Sequence, residues 1–203
     1  MGRALSTCTV DGVETTDLVS TAVDIALRFD RGHALVVLDE VLARGVPRDE
    51  LLAELDVRPT KRNAARARRM IELADGASES VGESLGRLVM HDLRLPAPVL
   101  QHEFRGEPGW RARVDYWFPD HGVVVEFDGM VKYRDRALRK GRMVEQVVID
   151  EKLREDRLRG VSEVRGLGRI TWHDVLPGGM APTTLRRAGL PVLRGVDRTP
   201  SWR

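Results

Sequence analysis

Apolar residues recur at helical spacing through the first third of the chain. The first such stretch covers 18–29, and either Thr16 or Asp17 can cap it. A short extended piece around an Asp-Gly turn precedes it at 8–16. Further helical stretches are predicted at 34–43, 48–55 and 61–74. Residues 1–76 are therefore predicted to form a helical unit.

The pattern changes after a cluster of turn residues at 75–78, which we interpret as a domain boundary. A helix is predicted next, and Pro96 lies beyond its end. The elements of this second part are a helix at 80–93, strands at 99–104, 111–118 and 122–128, a charged loop at 130–142, a helix at 143–159 and a strand at 163–172. The fold class is therefore α/β of the α+β kind, with a core at 77–176 and a partly ordered tail at 177–203 that is rich in Pro, Gly and Arg.

Composition excludes several classes of protein. The chain has 33 Lys+Arg against 31 Asp+Glu, a net charge of +2, which excludes a polybasic binder. The single cysteine, Cys8, cannot form an internal disulfide, and no Cys/His cluster has zinc-site spacing, so we expect a cytoplasmic protein. No apolar run approaches the roughly 18 residues of a membrane span, so no membrane partner is expected. Phosphate-binding glycine loops, zinc-protease His pairs and serine elbows are missing too.

Carboxylates interrupt the most apolar of the predicted strands. Alternation along 122–129 places Val124, Glu126 and Asp128 on one face. Three valines before Glu126 indicate a central strand covered on both sides, where an uncompensated carboxylate costs roughly several kcal/mol. If the preceding strand pairs with this one through the Pro-Asp-His-Gly turn, Asp115 comes near Glu126 or its neighbours. A cluster of such oxygen ligands suits Mg²⁺ or Mn²⁺ rather than zinc.

Each of these acidic residues also has a purely structural interpretation. Asp128 begins an Asp-Gly dipeptide, which is common in turns. Asp115 can be an edge carboxylate paired with Arg111 or Arg113. Glu83, on the helix that precedes the strands, is typical of a solvated helix position. The residues alone leave both interpretations open.

The order of the elements and the short motifs within them resemble the PD-(D/E)XK restriction-endonuclease-like superfamily. They are more closely similar to its domain-of-unknown-function branch related to very-short-patch-repair endonucleases, as found in actinobacterial abortive-infection antitoxin-like proteins. The resemblance covers roughly residues 77–175 and implies an αβββαβ core with a central mixed sheet. The matching stretches are 79–84, 113–119, 123–129, 151–157 and 169–172.

The resemblance implies a metal-dependent endonuclease that hydrolyses DNA phosphodiester bonds. Asp115 and Glu126 would hold Mg²⁺ or Mn²⁺, with Glu83 assisting from the first helix of the core. RNA is a second conceivable substrate, and a protein partner or a homodimer is compatible with the same likeness. The alternative is a non-catalytic antitoxin-like or regulatory module that binds nucleic acid or protein on a nuclease fold.

One position departs from the wider superfamily, because Asp128 stands where its signature has a lysine. Lys152 and Lys132 are the candidate replacements, although an isolated lysine is more often an exposed surface charge than a catalyst. Asp156 matches the family's helix element and could hold a water molecule. Helical spacing puts residues 152 and 156 on one face. The implied catalytic set is therefore Asp115, Glu126, Asp128, Lys152 and Asp156.

Basic residues concentrate in two stretches despite the balanced total. Residues 132–159 contain ten basic and six acidic side chains, and residues 58–69 contain six basic and no acidic ones. Either stretch can contact a phosphate backbone, although a solvated helix surface explains the second one as well.

Overall fold

The structure is a computed structural model that describes residues 7–60, 62–106, 109–129 and 144–202. The chain divides into two compact units. The first runs to Leu85 and includes Trp202, and the second is Gly86–Ser201. The division falls inside a helix, later in the chain than the boundary that the turn residues at 75–78 predict.

The described residues of the first unit are helical apart from one hairpin, which confirms the helical unit predicted for this part of the chain. Asp17 is the residue that caps the first helix, because its side chain accepts a 2.7 Å hydrogen bond from the Ser20 N–H. The elements are β1 (Thr7–Val10), β2 (Val13–Thr16), α1 (Leu18–Arg28), α2 (Arg31–Ala43), α3 (Arg48–Val57) and α4 (Ala64–Leu73). β1 and β2 pair antiparallel around the predicted Asp-Gly turn.

Burial in the first unit follows helical spacing, although both ends of the predicted stretch 18–29 are exposed. Ala22, Val23 and Ala26 of α1 are fully buried, as are Leu35 and Leu38 of α2. Ala22 and Val23 lie four and three positions before Ala26, and Leu35 lies three positions before Leu38, so each helix turns one continuous stripe toward the interior. The hydrophobic pattern therefore accounts for why these helices pack together.

The second unit is built on a mixed sheet, which confirms the α+β class. Its strand order is β3-β4-β5-β6. β4 is antiparallel to both β3 and β5, and β5 is parallel to β6. The elements, beginning with the helix that crosses from the first unit, are α5 (Val81–Asp92), β3 (Val99–Arg105), β4 (Arg111–Phe118), β5 (Val123–Asp128), α6 (Val144–Arg159), β6 (Gly166–Thr171), α7 (Trp172–Val175) and α8 (Ala181–Arg187).

One buried cluster of the second unit lies where α6 packs on the sheet. Leu158 of α6 is fully buried in a cluster with Trp117 and Val124. The valine-rich strand β5 is an inner strand and is buried from Val123 to Phe127, as its composition predicts. The sheet thus carries Glu126 on a strand that is buried along most of its length.

The segment after Pro177, predicted as a partly ordered tail, contributes helix α8 and several buried side chains. Leu185, Leu190 and Val192 are all at most 6% exposed. α8 leads into a close approach to β6, where a Cβ on Gly166 would overlap with the carbonyl oxygen of Ala188. Glycine is needed at this position because the two backbones leave no room for a side chain.

Among the described residues, none of the helices is both long and apolar enough to cross a membrane.

Candidate functional site

A tight turn sets the register of the two strands that carry the candidate carboxylates. Pro119–His121 form a 3₁₀ turn, and Gly122 follows with φ of 62°, a left-handed conformation that favours glycine. The ladder then pairs Phe118 with Val123 and continues to Tyr116 opposite Val125. The predicted hairpin is confirmed, and its register places Asp115 beside Glu126.

The Asp115 carboxylate takes part in the hairpin itself. Its Oδ2 accepts a 2.7 Å hydrogen bond from the Phe127 N–H, one residue beyond Glu126. This bond continues the β4–β5 connection past the last paired residues, Tyr116 and Val125. The expectation that Asp115 comes near Glu126 or its neighbours is confirmed.

The sheet is irregular at this level. Gln101 of β3 has φ of 50° and stands between two paired positions, opposite Asp115. Val114 and Trp117 lie in the same buried cluster although they are three residues apart, so β4 does not alternate regularly through Asp115. A left-handed conformation at a residue other than glycine costs about 1–3 kcal/mol, and such strain concentrates at functional sites.

Glu126 is neutralised by an arginine of α6. Its side chain is 11% exposed, and its Oε1 accepts a 2.6 Å hydrogen bond from Arg154 Nη2. The same Arg154 nitrogen donates to the Arg113 carbonyl at 2.6 Å. This pairing provides the counter-charge that the sequence requires for a carboxylate on a buried strand.

Arg169 on β6 lies among three further carboxylate oxygens. It is the direct neighbour of Glu126 in the parallel ladder. Its guanidinium nitrogens are 3.8 Å from Glu126 Oε2, 4.0 Å from Asp128 Oδ2 and 3.8 Å from Glu155 Oε2. Asp128 ends β5 with its side chain 19% exposed. The site therefore brings together carboxylates of β4, β5 and α6 with guanidinium groups of α6 and β6.

Glu83 has a structural role in the first unit. Its Oε1 accepts from the Ser80 hydroxyl at 2.7 Å and its Oε2 accepts from the Glu79 N–H at 2.9 Å, while the Glu83 N–H donates to Ser80 Oγ. These bonds satisfy backbone groups at the start of α5. In the parts of the chain that the structure describes, no three His, Cys, Asp or Glu side chains converge as a metal-binding group.

The remaining catalytic candidates lie on or before α6. Lys152 and Asp156 are both exposed on this helix. Lys132 and the whole charged loop at 130–142 lie outside the described residues, so the candidate role of Lys132 stays a prediction.

Sequence reasoning did not single out Arg154 or Arg169 as site residues, although both fall in stretches that carry the resemblance. Arg169 could have been found from the parallel pairing of β5 and β6, because a residue opposite a buried glutamate is the natural place for its counter-charge. Arg154 has no such signal, since it is one arginine among several on a charged helix.

Comparison with known proteins finds two relatives whose activity is not described. The chain is 35% identical over 122 residues to two uncharacterized proteins of Mycobacterium tuberculosis, one from strain CDC 1551 / Oshkosh and one from strain ATCC 25618 / H37Rv. The aligned part covers 60% of this chain and 45% of each relative, so the chain spans less than half the length of these proteins. No protein-family model matches the chain, and no solved structure matches it either.

Proposed function

We propose that this protein hydrolyses phosphodiester bonds of DNA with a divalent cation, Mg²⁺ or Mn²⁺, held by Asp115 and Glu126. The observation that carries the proposal is the placement of these two carboxylates on neighbouring inner strands, where Asp115 accepts a hydrogen bond from the residue that follows Glu126. The order helix, three strands, helix, strand, with a parallel last pair, agrees with what the restriction-endonuclease-like resemblance implies.

The donor chemistry of the two side chains fits such a cation. Mg²⁺ is usually held by one or two carboxylates and completes its coordination with water and substrate phosphate oxygens. Asp115 and Glu126 supply carboxylate oxygens of this kind, and a third protein ligand is not required. When bound, the cation would lower the pKa of a water molecule and offset the negative charge of the phosphate.

The neighbouring side chains have distinct roles in this proposal. Asp128 lies two residues after Glu126 on the same face of β5, so its carboxylate can orient a water molecule or accept its proton. Arg169 remains beside Glu126 and Asp128 and limits the repulsion between them. Arg154 offers a planar guanidinium at the same place, a group suited to phosphate oxygens.

The test is cleavage of supercoiled plasmid by the purified chain with Mg²⁺, Mn²⁺ or chelator alone. Asp115→Asn and Glu126→Gln keep the size of each side chain and remove its charge. We expect each to lower the cleavage rate by about 100-fold or more, because cation binding contributes several kcal/mol to such rates. Glu103→Gln is the matched control, since Glu103 pairs with Arg105 on β3, the edge strand of the same sheet.

Cleavage that persists in both Asp115→Asn and Glu126→Gln would contradict the proposal. A parallel series with single-stranded and hairpin RNA identifies the substrate class. Faster metal-dependent cleavage of RNA than of DNA would keep the site assignment and replace DNA as the substrate.

A second candidate function is favoured by the Arg154–Glu126 pair. A guanidinium at 2.6 Å from Glu126 Oε1 can replace the cation permanently, which would leave a non-catalytic module that binds nucleic acid or a protein partner. Its signature is DNA binding that weakens with salt, together with the absence of Mn²⁺ binding in calorimetry. Heat of Mn²⁺ binding that disappears in Glu126→Gln excludes this module.

A further inference from the structure

We propose that Arg154 and the divalent cation exchange at Glu126, so that cation binding releases the Arg154 guanidinium for contact with the substrate phosphate. This inference rests on the proposed function and deepens it, because it assigns the cation-free state and a phosphate contact to one side chain. Arg154 is in this view a built-in competitor of the metal.

The cation-free state needs Arg154 because Glu126 is poorly hydrated. The Glu126 side chain is 11% exposed and extends from a strand whose neighbouring residues are buried. A carboxylate in such surroundings requires a counter-charge and hydrogen bonds. Arg154 Nη2 supplies both at 2.6 Å from Oε1.

Arg154 and a cation cannot both occupy the Oε1 side of Glu126. Mg²⁺ binds carboxylate oxygens at about 2.0–2.1 Å. With Arg154 Nη2 at 2.6 Å from the same oxygen, the two positive centres would be at most about 5 Å apart and would repel each other. Binding of the cation therefore favours departure of the guanidinium.

The surroundings permit Arg154 to leave while Arg169 stays. The Arg154 side chain is 31% exposed, and its Nη2 also donates to the neutral carbonyl of Arg113. Arg169 is the ladder neighbour of Glu126 and lies between carboxylates of two elements, Asp128 on β5 and Glu155 on α6. Arg169 thus keeps part of the charge balance when Arg154 turns toward a phosphate.

The decisive measurement is the affinity of the full chain for Mn²⁺ alone, by isothermal titration calorimetry at fixed ionic strength. Removal of the competitor in Arg154→Gln is expected to tighten Mn²⁺ binding about tenfold. Arg159→Gln is the matched control, because it removes the same charge from the same helix but pairs with Glu155 at 2.8 Å. Its Mn²⁺ affinity is expected to stay within about twofold of the original chain.

Two further arms separate competition from loss of structure. Arg154→Lys keeps a positive charge near Glu126 and is expected to bind Mn²⁺ more weakly than Arg154→Gln. In the unsubstituted chain, the side-chain Nε–H resonance of Arg154, assigned by its loss in Arg154→Lys, is expected to shift when Mg²⁺ is added. This second arm needs no folded Arg154→Gln protein.

Different outcomes contradict the exchange at Glu126 and the proposed nuclease function. Unchanged or weaker Mn²⁺ binding in Arg154→Gln overturns the exchange, and so does an Arg154 resonance that does not shift when Mg²⁺ is added. Either result leaves the proposed metal-dependent nuclease in place. Absence of Mn²⁺ binding in the original chain and in every variant overturns the exchange and the proposed function together.

Discussion

Two arginines of the first unit, Arg58 and Arg66, hold helices to one another, whereas Arg154 and Arg169 at the carboxylate site of the second unit neutralise carboxylates. In the first unit Arg58 donates to the Ser20 carbonyl and lies within 3.3 Å of Asp24 and Glu54. Arg66 donates to the Leu27 and Phe29 carbonyls at the end of α1. Three of these acceptors are main-chain carbonyls of α1 or of the residue that follows it, and those at the end of α1 have no partner within the helix.

The second unit uses the same residue type differently. Arg154 and Arg169 contact the side chains of Glu126, Asp128 and Glu155, which are themselves suited to bind a cation. A cluster of basic residues in a sequence therefore does not by itself identify a phosphate-binding surface. In the stretch 58–69, Arg58, Arg66 and Arg68 all contact groups of the protein itself, which weakens the case for a phosphate-binding face there.

The comparison is tested most strongly at Arg58, whose side chain is 9% exposed. Arg58→Ala leaves Asp24, Glu54 and the Ser20 carbonyl without this donor and is expected to lower the free energy of unfolding by about 3–5 kcal/mol. Urea unfolding followed by circular dichroism measures it. Arg62→Ala, at an exposed position nearby, serves as control and should change stability by no more than about 0.5 kcal/mol. A loss of stability in Arg58→Ala no larger than that in Arg62→Ala would contradict the structural role assigned to Arg58.

In the second unit we expect the most sensitive position to be a glycine rather than an arginine. The methyl group of Gly166→Ala would overlap with the Ala188 carbonyl oxygen, so the substitution is expected to cost about 3 kcal/mol. Gly129→Ala is the control, because among the described residues its Cβ would meet the Phe127 ring at an ordinary 3.7 Å. Equal unfolding midpoints for the two variants would show that α8 moves away from β6 without penalty.

Asp115 allows its structural and chemical roles to be separated within the second unit. Asp115→Ala removes the acceptor of the Phe127 N–H and is expected to cost about 2 kcal/mol. Asp115→Asn keeps an amide oxygen in the same place and is expected to cost less than half as much. Thermal unfolding of both variants measures the difference. Equal destabilisation would indicate that the charge, and not the hydrogen bond, connects Asp115 to β5.

The smallest effect is expected at an exposed ion pair of the first unit. Asp30 caps α2 by accepting from the His33 N–H at 3.0 Å, and it contacts His33 Nδ1 at 2.8 Å. Partial burial acts to raise the pKa of Asp30, but the hydrogen bonds from the His33 backbone and side chain outweigh it, so the pKa lies below its usual 3.8. Asp30→Ala is expected to cost about 1 kcal/mol at neutral pH.

The sign of the pH dependence follows from the lowered pKa. The ionised carboxylate stabilises the folded state above the unfolded pKa, and this contribution is lost as the pH falls through the lower folded pKa. The difference in stability between the original chain and Asp30→Ala should therefore shrink below about pH 3.8. A difference that grows on acidification would contradict the assigned direction.

Much of the fold was predictable because it depends on local patterns. The helices of the first unit, the three strands at 99–128 and the helix before them follow from apolar spacing and from proline and glycine positions. Strand β6 is shorter than predicted, since Glu163, Val164 and Arg165 precede it and only Gly166–Thr171 pairs with β5. Strand ends depend on pairing, which the sequence does not contain.

The candidate site was predictable only in part. Asp115, Glu126 and Asp128 could be found because an acidic residue in an apolar strand is conspicuous. Their counter-charges could not, because Arg154 lies 28 positions after Glu126 in the sequence and on a different element. No periodic pattern connects residues so far apart.

The sequence by itself determined the two kinds of architecture and the placement of carboxylates on an inner strand, because side-chain alternation and turn residues act over a few positions. Only the tertiary structure decided which arginines meet those carboxylates, that Asp115 contacts the Phe127 N–H, and that Glu83 serves the start of α5. The reason is physical: a counter-charge is selected by distance in space and by burial, and both arise only when the strands and α6 have packed.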